Sequence, residues 1–285
     1  MIGSILFDGI AYGSVLFLVS AGLSVTMGLM NFIHLAHGSF AMFGGYLSVW
    51  LGARFGVPFF VTLPLVFLTT ALAGAAVERV LYRRLYGSEK LDQVLLTIGI
   101  VFVSMALATY GFGPGQQAIL LPAVFTGQVR LFGQDLSVYR LFLIALVLAI
   151  SVGLRWLVGH TRFGSQVRAA VDNQEVAAGL GIPVHRVYSL TFGLGTGLAG
   201  LGGALGIEVL GLDPTYPLKY MVYFLLVVSV GGAGALAGAA VASIALGICD
   251  VAVKYLVPAI GAFIIYAMMV LLLILFPAGI FGRRT

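Results

Sequence analysis

Apolar residues in this chain run in blocks rather than in stripes. Nine such blocks lie at about residues 5–28, 33–53, 58–77, 93–112, 139–158, 188–210, 218–235, 237–257 and 260–277. Each approaches the ~20 predominantly apolar residues that a helix needs to cross a bilayer. Backbone polar groups in lipid must be satisfied internally, which leaves helices or a closed barrel. Barrel strands would alternate polar and apolar over ~10 residues, whereas residues 141–150 are apolar on every face. The pattern predicts an all-α polytopic membrane protein of about nine transmembrane helices, with eight to ten as the range. The glycine-rich junction at 231–240 reads as a helix break or a re-entrant turn.

Composition sharpens this. The chain is 61% hydrophobic and 9% charged, against roughly 25% charged residues in soluble domains, whose surface must face water. A soluble protein of this size is excluded. The net charge of +5 therefore speaks for cytoplasmic helix ends rather than for nucleic acid. Arg79, Arg83, Arg84 and Lys90 fall in the connection 78–92, and Arg155, Arg162, Arg168 and Arg186 in or beside 159–187. Arg283 and Arg284 close the chain. Placing these clusters inside puts the N-terminus outside and the C-terminus in the cytoplasm, a parity that nine spans satisfy. No Lys or Arg precedes Arg54, and Asp8 interrupts the first apolar block. A cleavable leader's basic start is thus missing, and the first helix is expected to be retained.

Chemistry is sparse. A nucleotide-binding P-loop needs Gly-x-x-x-x-Gly-Lys-Ser/Thr, but the only lysines are Lys90, Lys219 and Lys254, preceded by Glu89, Leu218 and Val253. The chain is not itself a P-loop ATPase, and no catalytic residue is expected. Asp8, Glu208, Asp213 and Asp250 are the candidates for intramembrane charge. Each lies near a predicted helix end, which favours solvated interfacial positions over a proton relay. His34 and His37 share a helical face, but no further ligand stands near them in sequence, so no metal site is expected. The single Cys249 excludes an intrachain disulfide and reads as a small buried residue. The clustered glycines read as close helix packing or as helix breaks along a path.

The connection 159–187 carries the most information. Residues 166–178 are good helix formers, and Gly179 and Gly181 are stop signals. Val167, Ala170, Val171 and Ala178 can form an apolar stripe, with Arg168, Asp172 and Glu175 outside it. The result is a short amphipathic cytoplasmic helix. With no Trp or Leu to insert into lipid, a protein partner suits it better than a membrane surface.

This stretch resembles the cytoplasmic coupling segment of branched-chain amino acid ABC transporter permeases, the high-affinity leucine/isoleucine/valine type. Thr161, Gly164, Arg168, Ala169, Asn173, Ala177, Gly181 and Ile182 stand in register with that pattern. Three further blocks agree in order: Ala36, His37, Gly38, Gly44 and Tyr46; then Thr97-Ile98-Gly99; then Pro277, Gly279, Phe281 and Gly282. The resemblance covers essentially the whole chain.

It implies a single permease domain over 1–285 with a coupling segment at about 159–187, in the bacterial inner membrane. It implies a second permease subunit, homologous but non-identical, two cytoplasmic ATPase subunits and a periplasmic solute-binding protein, with membrane lipid around them. ATP and Mg belong to the ATPase subunits, and no cofactor is expected in this chain. The ATPase-coupling residues would be Arg168, Ala169, Asp172, Asn173, Glu175, Ala177 and Gly181. The candidates for a solute path, at helix breaks, are Asn31, His34, His37, Thr97, Gly231, Gly232 and Gly234.

The chain departs from the family at His34, where Asn is usual, over 213–220, and at Phe276 in place of Arg. Related permeases carry urea, amides and aromatic acids, so the solute stays open between these and branched-chain amino acids. The competing class is an ion-coupled secondary transporter or channel, which would need no separate ATPase. A structural membrane protein would move no solute.

Overall fold

The computed structural model describes residues 2–30, 32, 34–131, 133–258 and 261–275. A helix covers each block that the apolar pattern marks: α1 (Ile2–Met30), α2 (His37–Phe55), α3 (Phe59–Val80), α4 (Lys90–Phe112), α5 (Val138–His160), α8 (Val184–Leu205), α10 (Tyr216–Gly231), α11 (Leu236–Leu256) and α12 (Gly261–Leu275). Between them lie the short helices α6 (Arg162–Asp172), α7 (Gln174–Gly179) and α9 (Ile207–Leu210). The connection after α4, where no element is predicted, holds an antiparallel hairpin of β1 (Gln128–Leu131) and β2 (Gln134–Ser137). Among the described residues five helices are long and apolar enough to cross a membrane: α1, α3 with its following 3-10 turn to Leu85, α4, α5 and α11. The protein is therefore a multi-pass membrane protein.

Two helices make the core. α1 and α8 are buried over most of their length, as helices apolar on every face should be. Lipid offers no hydrophobic drive between helices, so close backbone approach must supply the attraction. A Cβ on Gly22 would stand 2.2 Å from the Gly195 carbonyl oxygen, and one on Gly195 would stand 2.8 Å from that of Gly22. α1 and α8 cross here with bare backbones in contact. Such a seam explains why α8 carries so many glycines over the buried stretch that follows Leu190.

The packing repeats upside down. α1 and α8 run antiparallel, since Gly22 meets Gly195 and Gly202 meets Val19. α3 packs on α8 as α11 packs on α1, and α2 on α8 as α10 on α1. α2 also meets α3 and α4 as α10 meets α11 and α12. The two sets α1–α4 and α8–α12 are thus inverted repeats, an arrangement used by many transporters.

α2 and α10 both begin inside the bundle. The His37 Nε2 lies 3.1 Å from the Val19 carbonyl oxygen, and Val19 sits eleven residues before the end of α1, or about 16 Å along it. A Cβ on Gly38 would meet Pro217 Cα at 3.1 Å. The N-termini of the two short helices therefore meet at depth, a geometry that the apolar pattern does not show.

The expectation of a buried Cys249 is overturned: the side chain is exposed, because that face of α11 turns outward while Leu246, Gly247 and Asp250 turn in. Asp250 also departs from expectation. Its carboxylate is buried rather than solvated and pairs with Lys254 Nζ at 2.5 Å, with the Tyr223 hydroxyl donating to it at 3.1 Å.

Candidate functional site

The segment 159–187, expected to hold one amphipathic helix, holds two. α6 stops at Asp172, Asn173 is extended (φ −159°, ψ 108°), and its Oδ1 accepts from the Val176 N–H at 3.0 Å to start α7. This is an N-cap, which satisfies a backbone donor otherwise left open. Gly181 takes φ +83°, which lets the chain turn toward α8 after α7.

Three residues of the family-like pattern build the corner between α5 and α6. Thr161 Oγ1 donates to the Leu157 carbonyl at 2.5 Å and accepts from the Gly164 N–H at 3.1 Å. A Cβ on Gly164 would come 2.1 Å from the Val158 carbonyl oxygen, so only glycine lets α6 turn back so tightly. Arg168 Nη1 donates to that same Val158 oxygen. The last carbonyls of α5 have no partner within the helix, and these side chains supply some.

The segment then docks on the membrane body. Val167, Ala170 and Ala177 form a buried cluster with Leu29 of α1 and with Val184, Val187 and Tyr188 of α8; Ala169 is packed against it. The apolar stripe expected of one continuous helix is thereby split. Val167 and Ala170 turn inward, whereas Val171 and Ala178 are exposed. The break at Asn173 resets the helical phase, so Ala177 rather than Ala178 faces in. The outward face carries Arg168, Asp172 and Glu175 with the exposed apolar residues Val171, Val176 (57% exposed) and Leu180 (77%).

A polar link, missed in the sequence, ties this cluster to α3. Glu78 is buried and accepts from the Tyr86 hydroxyl at 2.6 Å and the Ser189 hydroxyl at 2.5 Å. Arg79 Nε donates to Ser189 Oγ at 3.4 Å, and the Tyr86 ring meets Tyr188 edge-on at 5.6 Å. Tyr188 in turn donates to Gln174 Oε1 of α7 at 3.1 Å. Burial first, and then the bond to Glu78, raise the Tyr86 phenol above its ordinary range, so it remains a donor at physiological pH. The signal in sequence was slight: one acid at the end of an apolar span, next to Arg79.

Among the solute-path candidates, the structure joins two. The rings of His34 and His37 lie 5.2 Å apart, edge to face, and both side chains are buried. His34 is boxed by Phe40, Tyr82 and Phe192 at 5.0–5.9 Å, and among the described residues neither of its ring nitrogens has a hydrogen-bond partner. Thr97 is buried but spends its hydroxyl on the Val94 carbonyl of its own helix. Gly231 packs on Gly238 and Ala239, and the Gly234 N–H donates to Ser24 O of α1 at 3.0 Å. Gly232 and Gly234, at φ +87° and +81°, form the turn between α10 and α11, so the junction is a helix break. Asn31 and the closing block Pro277, Gly279, Phe281 and Gly282 lie outside the described residues. Among the described residues no three His, Cys, Asp or Glu side chains gather as a metal site would require.

The buried seam, the inverted repeat and the docked helical segment describe a transport protein's membrane subunit. The chain belongs to the family described as "Branched-chain amino acid transport system / permease component", which matches residues 5–273. It is 26% identical to the high-affinity branched-chain amino acid transport system permease protein LivH of Salmonella typhimurium, over 98% of this chain and 94% of the relative. It is 25% identical to the corresponding permease protein BraD of Pseudomonas aeruginosa, over 98% and 95%. It is 27% identical to the probable branched-chain amino acid transport permease protein LivH of Methanocaldococcus jannaschii, over 98% and 92%.

Proposed function

We propose that the chain is the permease subunit of a binding-protein-dependent ABC importer, moving branched-chain amino acids or a related small organic solute across the bacterial inner membrane. Family membership supports the transport class. The observation that carries the mechanism is the coupling segment, whose inner face is locked to α1 and α8 while Val171, Val176 and Leu180 stay uncovered.

In this reading nine helices cross the membrane, with the N-terminus outside and the C-terminus in the cytoplasm. The segment 159–187 then lies inside, where two ATPase subunits holding ATP and Mg grip its outward face. Asp172 and Glu175 frame the apolar contact, and Asn173, Ala177 and Gly181 keep its shape. Closure of the ATPases pushes α6 and α7, and the push passes through Val167, Ala170 and Tyr188 to α1 and α8. Tyr86 and Glu78 carry it to α3. The solute passes between this permease and a second, homologous one after release from a periplasmic binding protein. Inside this chain the paired N-termini of α2 and α10, at His37 and Pro217, offer positive helix ends to a carboxylate once the bundle opens toward that path. His34, buried behind His37, is reached only when the helices part.

Two of the four candidates for intramembrane charge are held in ion pairs, which argues against their carrying a coupling ion. Asp8 is held by Arg140 and Tyr255, and Asp250 by Lys254 and Tyr223. The test is uptake into membrane vesicles holding the chain with its genomic neighbours, offered leucine, urea or an aromatic acid. ATP- and binding-protein-dependent accumulation is the expected result, and the accumulated solute fixes the specificity. Uptake driven by an ion gradient alone would overturn the proposal.

A further inference from the structure

A groove of about 490 Å³ opens between α1, α5, α6 and α11 beside the coupling segment. Its walls are mostly apolar, with Phe17 of α1, Val152 of α5 and Leu236 and Ala240 of α11 among them, and two arginines, Arg155 and Arg168, belong to its lining. Among the described residues no acidic side chain lines it. Arg168 spends one N–H on the Val158 carbonyl, and among the described residues Arg155 forms no ion pair. The groove lies on the poorly covered flank of α5, where Val152 and Trp156 are 63% and 61% exposed. Arg155 sits five residues from the helix end, so its stem can run along apolar surface to place the charge at headgroup depth.

We infer that this groove is a binding site for one anionic phospholipid, with the phosphate on Arg155 and Arg168 and an acyl chain along Phe17, Leu236 and Ala240. The complementarity is twofold, and only an amphiphile meets both halves of it. A free anion would leave the apolar wall uncovered, and a zwitterionic lipid would gain less from a lining that holds two arginines and, among the described residues, no acid. Basic pockets between helices on the cytoplasmic side select anionic headgroups by this same balance. Because Arg168 also holds α6 against the end of α5, a bound phosphate would fix the angle at which the coupling segment is presented. The lipid composition of the membrane would then tune coupling. This inference rests on the chain spanning a membrane and not on which solute it carries.

The test uses the full chain, purified in mild detergent from nanodiscs of phosphatidylcholine with or without phosphatidylglycerol. Retained lipid is then counted by mass spectrometry. About one phosphatidylglycerol per chain should survive washing, with phosphatidylcholine near background. Arg155→Gln should cut retention about five-fold and Arg155→Lys should largely keep it, the loss of one cation at an anionic headgroup being worth about that much. Ala240→Phe, which fills the apolar part and leaves both arginines, should also release the lipid. Equal retention of the two lipids, or unchanged retention in well-folded Arg155→Gln, would overturn the inference. Displacement by millimolar inorganic phosphate would overturn it too, by reducing the site to one for a free anion. Should Arg155→Gln aggregate, Ala240→Phe and the comparison of lipids in the unsubstituted chain still decide.

Discussion

The crossing of α1 on α8 and the docking of α6–α7 solve the same problem, holding helices together, by opposite means. At the crossing Gly22 and Gly195 bring bare backbones into contact, and a methyl group on either would collide with the other's carbonyl. The Thr26 hydroxyl beside it donates to the Gly22 carbonyl of its own helix, so no side-chain bond joins the two backbones, and neither helix can slide without separating from the other. At the docked segment the contacts are a few Val, Ala and Tyr side chains, two caps and a buried Glu78. The first region is held through shape, and the second is held through side-chain chemistry. A transporter driven from outside the membrane needs both, with a joint where force enters and a body that does not absorb it.

Substitutions separate the two regions by size of effect. Gly22→Val should be the most damaging, because backbone cannot yield as a side chain tip does. A cost of about 3 kcal/mol or more is expected from overpacking, seen as loss of monodisperse protein in detergent and a lowered thermal midpoint. At the joint, Val176→Asp with Leu180→Asp touches only the outward face. Folding should be unaltered while ATPase co-purification and uptake fall at least about tenfold, since charged groups would be buried in the interface; unchanged co-purification would remove this face from the mechanism. Tyr86→Phe leaves Glu78 with Ser189 alone, and a loss of about 1–3 kcal/mol follows from a buried charged acceptor missing a donor. Chemical denaturation measures it, with Glu78→Gln partly restoring stability in the Phe background. Asn173→Ala removes one cap and should cost about 1 kcal/mol, whereas Asn173→Asp should keep it; hydrogen exchange confined to residues 174–179 would show the difference.

Much of the body is legible in sequence because lipid imposes a simple demand, a long apolar run, and α4 or α5 can hardly be missed. Depth is another matter. The block 33–53 gives no hint that its helix begins only at His37, level with Val19, since apolar periodicity is the same at the surface and in the centre of a bilayer. His34 and His37 do not share a helical face as expected, because His34 precedes α2 and the turn at 35–36 brings the two rings together; the aromatic box around His34 comes from Tyr82 and Phe192, which only the fold brings near. In the coupling segment the amphipathic character was plain, and its orientation was not. Val167 and Val171 lie a turn apart, and which is buried depends on where α8 runs. The kink at Asn173, which exchanges Ala177 for Ala178, needed a cap that reads equally well as a mid-loop residue. Glu78 was hidden by its position at a helix end, where an acid usually meets water.

The most direct test of force transmission is a short thiol cross-link between α6 and α1. In a Cys249→Ser background, cysteines at Leu29 and Val167, members of the same buried cluster, are joined and ATP-driven uptake is measured before and after reduction. Uptake that persists with the link closed means that the segment and α1 move as one body, as proposed. Uptake that stops, and returns on reduction, would mean that the segment slides over α1 and that force enters the membrane by another route.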